Sequence, residues 1–92
     1  MPTVNLRHMK RLESGTIAAV TANGEMGRRI RDMGLVPGTR VTIQGRAPLK
    51  DPVALRLMGF TLTLRNSEAD FIEVEDRDAA GLDGVFDQLV DQ

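Results

Sequence analysis

The side chains best equipped for chemistry are few in this sequence, and they stand far apart. There is one histidine, His8, and there is no cysteine or tyrosine. Nucleophilic catalysis needs a hydroxyl, thiol or amine set against a base that a third group orients. His8 lies in a polar N-terminal stretch with no placed Asp or Ser partner, and it reads as a surface histidine. Glu73 and Glu75 alternate along one strand and so share a face, but they fall in an acidic, exposed end of the chain. Asp76-Arg77-Asp78 reads as a solvated linker. Iron or zinc would want His, Cys or clustered carboxylates. Gly24 and Gly27 lack the following Gly-Lys pair of a phosphate-binding loop. No catalytic residue, metal ligand or cofactor is therefore assigned. Ferrous iron and zinc are expected to bind only weakly, and the chain is expected not to be an enzyme.

Binding chemistry is better represented. Arg28, Arg29 and Arg31 form a basic group, and Pro48, Leu49 and Pro52 put an apolar side chain on a proline-stiffened loop. Ordering such a loop costs little entropy, which suits an interface anchor. The plain alternatives are a solvated helix face for the arginines and a loop that folds Leu49 over the end of the fold. Nucleic acid is a rival partner on fold grounds, but base stacking uses aromatic side chains. Only Phe60, Phe71 and Phe86 are present, and Phe60 is expected in the core. No nucleic-acid partner is assigned.

Positioning these residues requires a small scaffold. With 92 residues the chain makes one domain. The segment Met1 to Ser14 reads as a polar arm. A β-branched strand follows over 15–20, and Asn23-Gly24 marks a turn. Met26, Ile30 and Met33 are spaced i, i+4, i+7 and predict a helix over 25–33. Gly34 stands where that helix should end in left-handed backbone, with Leu35 reaching back to Ile30. Val36-Pro37-Gly38-Thr39 has the form of a type II turn. Strands are expected over 41–44, 53–57, 60–64 and 71–75, with 45–51 a loop. Met58-Gly59 forms a two-residue hairpin turn, and Asn66 or Ser67 caps a single helical turn. The sum is a mainly β fold, a five-stranded, partly open SH3-like barrel with one short helix after the first strand. The barrel is expected over 1–76, and 77–92 is an acidic tail. Within the tail, Leu82, Val85, Phe86, Leu89 and Val90 make an amphipathic helical stripe. That stripe could cap the barrel, bind a partner or pair two copies into a homo-oligomer.

Charge is divided along the chain. Eleven Lys/Arg face four Asp/Glu up to Arg65, whereas from Asn66 onward one Arg accompanies nine Asp/Glu. A basic body with an acidic end argues against coating nucleic acid and permits a basic face for an acidic partner. No apolar run approaches the ~20 residues of a membrane span, so direct membrane insertion is not expected.

Three segments in order resemble the FeoA family of bacterial ferrous iron transport. They are Arg29-Ile30-Arg31-Asp32-Met33-Gly34-Leu35-Val36-Pro37-Gly38, Ala47-Pro48-Leu49-Lys50-Asp51-Pro52, and Gly59-Phe60-Thr61-Leu62-Thr63-Leu64-Arg65. Lys50 stands where the family usually has Gly, and Met58 where an Arg is common. The resemblance implies an SH3-like fold and a cytoplasmic accessory role. It also implies a peripheral position at the inner membrane through a partner, the FeoB-type membrane GTPase transporter. Arg28, Arg29, Arg31, Pro48 and Leu49 are the candidate contacts for that partner, and Gly34, Pro37, Gly38 and Gly59 are the structural turns. Two alternatives remain: a small SH3-like RNA- or protein-binding module, and a stand-alone relative of the C-terminal domain of metal-dependent repressors.

Overall fold

A computed structural model describes residues 2–78; the tail stripe from Leu82 to Val90 lies outside the described residues. Six strands form one antiparallel sheet: β1 (Val4–Asn5), β2 (Ser14–Val20), β3 (Arg40–Arg46), β4 (Val53–Leu57), β5 (Phe60–Leu64) and β6 (Ile72–Asp78). Their order is β1-β6-β2-β3-β4-β5, and the sheet does not close. Helix α1 (Gly24–Asp32) follows β2, and the single turn α2 (Asn66–Ala69) follows β5. The expected SH3-like, partly open, mainly β fold is what the chain adopts, with one strand more than expected.

Alternation explains the core. Val53, Leu55 and Leu57 of β4 and Val41 and Ile43 of β3 point inward and are buried. Ile30 and Leu35 close one side of this core, and Ile72 and Val74 of β6 fill its middle. Register shifts between β2 and β6, and between Ile43 and Gly45 on β3, put extra residues into the ladders. One of the extra residues on β6 is Asp76, whose φ is +51°. Bulges of this kind bend a strand and raise its twist, which curls one sheet around its own core.

The expected turn chemistry is present. Gly34 N–H donates to Arg31 O at 2.9 Å and Leu35 N–H to Ile30 O at 3.3 Å, the two bonds of a Schellman ending. Gly34 has φ +93° and Gly38 φ +96°, and Thr39 N–H closes the Pro37-Gly38 turn on Val36 O at 3.0 Å. The Thr39 hydroxyl then donates to Gly34 O at 3.2 Å. Met58 and Gly59 both take positive φ, as a type I′ hairpin requires.

Several expectations need correction. The polar arm is not a loose lead-in: β1 pairs with β6, a 3-10 turn spans Leu6–His8, and Leu6 and Met9 are buried. Asp76-Arg77-Asp78 is not a linker but the end of β6. Arg40 holds it there, donating to Asp76 O at 3.1 Å and to Asp78 Oδ2 at 2.7 Å. The strand expected over 41–44 runs from Arg40 to Arg46, which shortens the following loop. The cap of α2 falls on Arg65 rather than Asn66 or Ser67, because the Glu68 carboxylate accepts the Arg65 N–H at 3.0 Å. Phe60 is not core. It sits at the hairpin end of the edge strand β5 and is 46% exposed.

A β-branched side chain at φ above +90° clashes with its own backbone. Gly34→Val and Gly38→Val are each expected to lower stability by about 1–3 kcal/mol. Denaturant unfolding checks this, and wild-type midpoints for both variants would remove the turn assignments.

Candidate partner-binding face

The α1 arginines do not share one environment. The outer face of the helix forms a shallow groove of about 670 Å³ lined by Glu25, Met26, Arg28, Arg29, Asp32 and Met33. Ile30 turns inward, so helical spacing leaves the arginines toward solvent. Arg29 Nη2 lies 3.2 Å from Glu68 Oε2. The Glu68 side chain is only 6% exposed, and its Oε2 receives no well-aligned hydrogen bond, so Arg29 supplies charge more than geometry. Arg31 Nη2 reaches Ala22 O at 3.4 Å, a long contact across the start of the helix. Arg28 makes no ion pair or side-chain hydrogen bond among the described residues and is exposed. Of the three candidates, Arg28 is the one without a partner among the described residues, and Arg29 has a structural duty.

The Pro-Leu loop is held at its base and open at its tip. Lys50 N–H donates to Ala47 O at 2.7 Å, and Ala47 N–H donates to Pro52 O at 3.0 Å. Asn66 fixes the loop from α2: its side chain donates to Lys50 O at 3.0 Å, and its N–H to Asp51 Oδ1 at 2.9 Å. Pro48 is exposed and Leu49 is 90% exposed, so Leu49 does not fold over the barrel end. Lys50 has φ +66°, the left-handed backbone that the usual glycine would take without strain.

Helix α2 joins the two candidate regions. Glu68 holds Arg29 of α1, and Asn66, two residues earlier, holds the loop. The helix arginines and Leu49 therefore flank a common element, although they line separate cavities. The turn residues Gly34, Pro37, Gly38 and Gly59 shape connections between elements and line neither cavity.

Arg46 is the residue that sequence reasoning missed. Its Nη2 donates to Leu6 O at 3.3 Å, Arg7 O at 2.8 Å and Met9 O at 2.9 Å, and its Nη1 donates to Asn66 Oδ1 at 3.3 Å. One guanidinium thus ties the arm, β3 and α2 together. Burial pushes its pKa below the ordinary arginine value, as does nearby Arg7, while Asp51 pulls the other way. Strand alternation gave no warning, because the irregularity between Ile43 and Gly45 resets which face Arg46 occupies.

Residues 4–76 match the model of the FeoA domain. The chain belongs to the FeoA family. Among proteins of known sequence, a fusion of Fe(2+) transport protein A with Fe(2+) transporter FeoB from Porphyromonas gingivalis is 40% identical over 63 residues. That match covers 68% of this chain and 8% of the fusion protein, so the chain spans a small part of this relative's length. Among solved structures, a FeoA-like protein from Clostridium acetobutylicum is 39% identical with a TM-score of 0.77, over 82% of this chain and 87% of that one. FeoA of Stenotrophomonas maltophilia, a procaryotic SH3 domain protein solved with zinc, is 28% identical with a TM-score of 0.66, over 88% of this chain and 94% of that one. A manganese-dependent transcriptional repressor superposes with a TM-score of 0.72 at 22% identity, over 79% of this chain and 41% of the repressor. That last likeness is one of fold alone. In this FeoA chain, no three or more His, Cys, Asp or Glu side chains gather to hold a metal ion among the described residues. No helix among them is long and apolar enough to cross a membrane.

Two outcomes follow for the FeoA fold. Arg46→Ala is expected to cost about 2–3 kcal/mol, because several charge-assisted bonds to carbonyls are lost together. Arg46→Lys recovers only part of this, since an ammonium lacks the planar fork. Amide exchange should show residues 6–9 released first, and wild-type protection there would refute the clamp. Arg29→Ala should cost about 1 kcal/mol, screened by the exposure of Arg29, whereas Arg28→Ala should stay within about 0.5 kcal/mol. Equal melting shifts for the two would contradict the division of roles.

Proposed function

We propose that this chain is a non-enzymatic accessory protein of ferrous iron transport that docks on the cytosolic part of a FeoB-type membrane GTPase transporter. The observation that carries this reading is the relative in which a FeoA segment and FeoB are one polypeptide. Fusion holds two proteins at high effective concentration, which is useful when separate chains must meet. The same reading places the protein in the cytoplasm, peripheral to the inner membrane through its partner.

The face proposed for the partner is built by α1, α2 and the loop over 47–52. Arg28 is an exposed cation with no internal partner among the described residues, and the half-buried Met26 and Met33 line the groove beside it. Methionine packs adaptably, which suits a surface that receives a second protein. Leu49 projects from a loop fixed at both ends, so it brings apolar area with little entropy to lose. A charge at the rim speeds encounter, and a buried anchor slows release.

The test is immobilised FeoB cytosolic domain against folded variants. Arg28→Glu should lower the association rate about 3- to 10-fold and flatten its salt dependence. Leu49→Asp should raise the dissociation rate by about 10-fold or more with little change in association. Wild-type kinetics for both variants would exclude this face. Absence of any binding by the wild-type chain would exclude the partner.

A further inference from the structure

A second concave site lies beside the Pro-Leu loop. It is a cavity of about 360 Å³ lined by Arg7, His8, Arg46, Leu49, Lys50 and Asn66. Four of these six side chains are basic, and no carboxylate lines the cavity. They come from three separate segments: the 3-10 turn, the end of β3 and the loop.

The donors in this cavity are only partly used. Arg7 bonds Asp70 through Nη1 alone, at 3.1 and 3.2 Å, which leaves its Nε and Nη2 without an acceptor among the described residues. The Lys50 ammonium and the His8 ring make no hydrogen bond among the described residues, and both residues are exposed. Arg46 is committed to carbonyls, yet it keeps its charge beside Arg7. Two guanidinium groups held near each other repel; Asp70 beside Arg7 and Asp51 near Arg46 offset part of this, and an anion in the cavity would offset more.

Lys50 adds an independent argument. Its φ of +66° is a backbone state that glycine adopts freely and a lysine adopts with strain. The side chain that this backbone carries puts an exposed ammonium at the cavity, where glycine would put none.

We propose that this cavity binds a phosphate group. Free donors on Arg7, His8 and Lys50, with the charge of Arg46 beside them, suit an anion with several terminal oxygens better than a planar carboxylate, which arginine alone would grip edge-on. Leu49 at the rim adds an apolar edge for whatever bears the phosphate. The site shares Leu49 and its loop with the face proposed for the partner but none of the α1 groove, and phosphate binding is read on this chain alone.

Inorganic phosphate is the probe, titrated into the full chain and followed by amide shifts in two-dimensional NMR, with chloride at matched ionic strength as the control. Saturable shifts at His8, Lys50 and Asn66 are expected. Lys50→Gly should weaken them by about fivefold or more, the loss of one charge-assisted contact. That variant removes the ammonium and relieves the backbone, so its melting temperature should not fall. Shifts that chloride reproduces, or that Lys50→Gly leaves unchanged, overturn the proposal. The source of the phosphate is read by co-sedimentation with vesicles of phosphatidic acid in phosphatidylcholine. Pelleting that Lys50→Gly abolishes assigns a lipid headgroup. A saturable phosphate response with the protein left in the supernatant assigns a soluble phosphate compound.

Discussion

Arg46 gathers three carbonyls of the N-terminal arm onto one guanidinium nitrogen, and this contact fixes where the arm lies. Asn5 and Arg7 also bond Asp70 and Glu73, but a two-residue strand and one 3-10 turn hold a segment weakly on their own. With the Arg46 contact, Leu6 and Met9 enter the core, and β1 lies along β6. The same side chain reaches Asn66, which fixes the loop that carries Leu49. Core, arm and loop thus share one cation. That cation is neither fully buried nor paired with a carboxylate: carbonyl dipoles and Asn66 satisfy it, and it avoids the full desolvation penalty of a buried ion pair.

The parts of the fold legible in the sequence were those set by local rules. Gly34, Leu35, Pro37 and Gly38 announce a helix end and a turn because only certain residues tolerate those dihedrals. The strands at 53–57 and 60–64 show clean alternation and lie where it predicts. The parts that were illegible depend on partners distant in sequence. Val4 finds Val74 and Arg40 finds Asp78, and neither pairing leaves a periodic trace. Phe60 misled because alternation gives the face of a strand but not whether a neighbouring strand covers its end.

The candidate face shows the same division. The sequence left Leu49 either exposed on a proline-stiffened loop or folded over the barrel end, and the structure leaves it 90% exposed. The three arginines looked alike because charge is a property of residue type, whereas duty depends on what stands opposite. Glu68 stands opposite Arg29, and it arrives from α2, well over thirty positions along the chain. A buried carboxylate in a four-residue helical turn gives no signal in a linear pattern. Its own N-terminal hydrogen bond to Arg65 looks like ordinary capping.

The position of β6 governs how the domain comes into being. It is the last strand among the described residues, yet it lies between β1 and β2. A chain emerging from the ribosome can pair β2 with β3, β3 with β4 and β4 with β5 as each appears, because those neighbours are close in sequence. The N-terminal arm has no sheet partner until residues 72–78 arrive, and both sides of that last strand must be matched at once. Pairings of such long sequence separation must meet the entropy of closing a large loop before any contact offsets it, which slows folding. The molecule is therefore sealed from its end backward. Until that step an unpaired edge of β2 is exposed to other chains, a hazard confined to the interval between synthesis of β2 and arrival of β6.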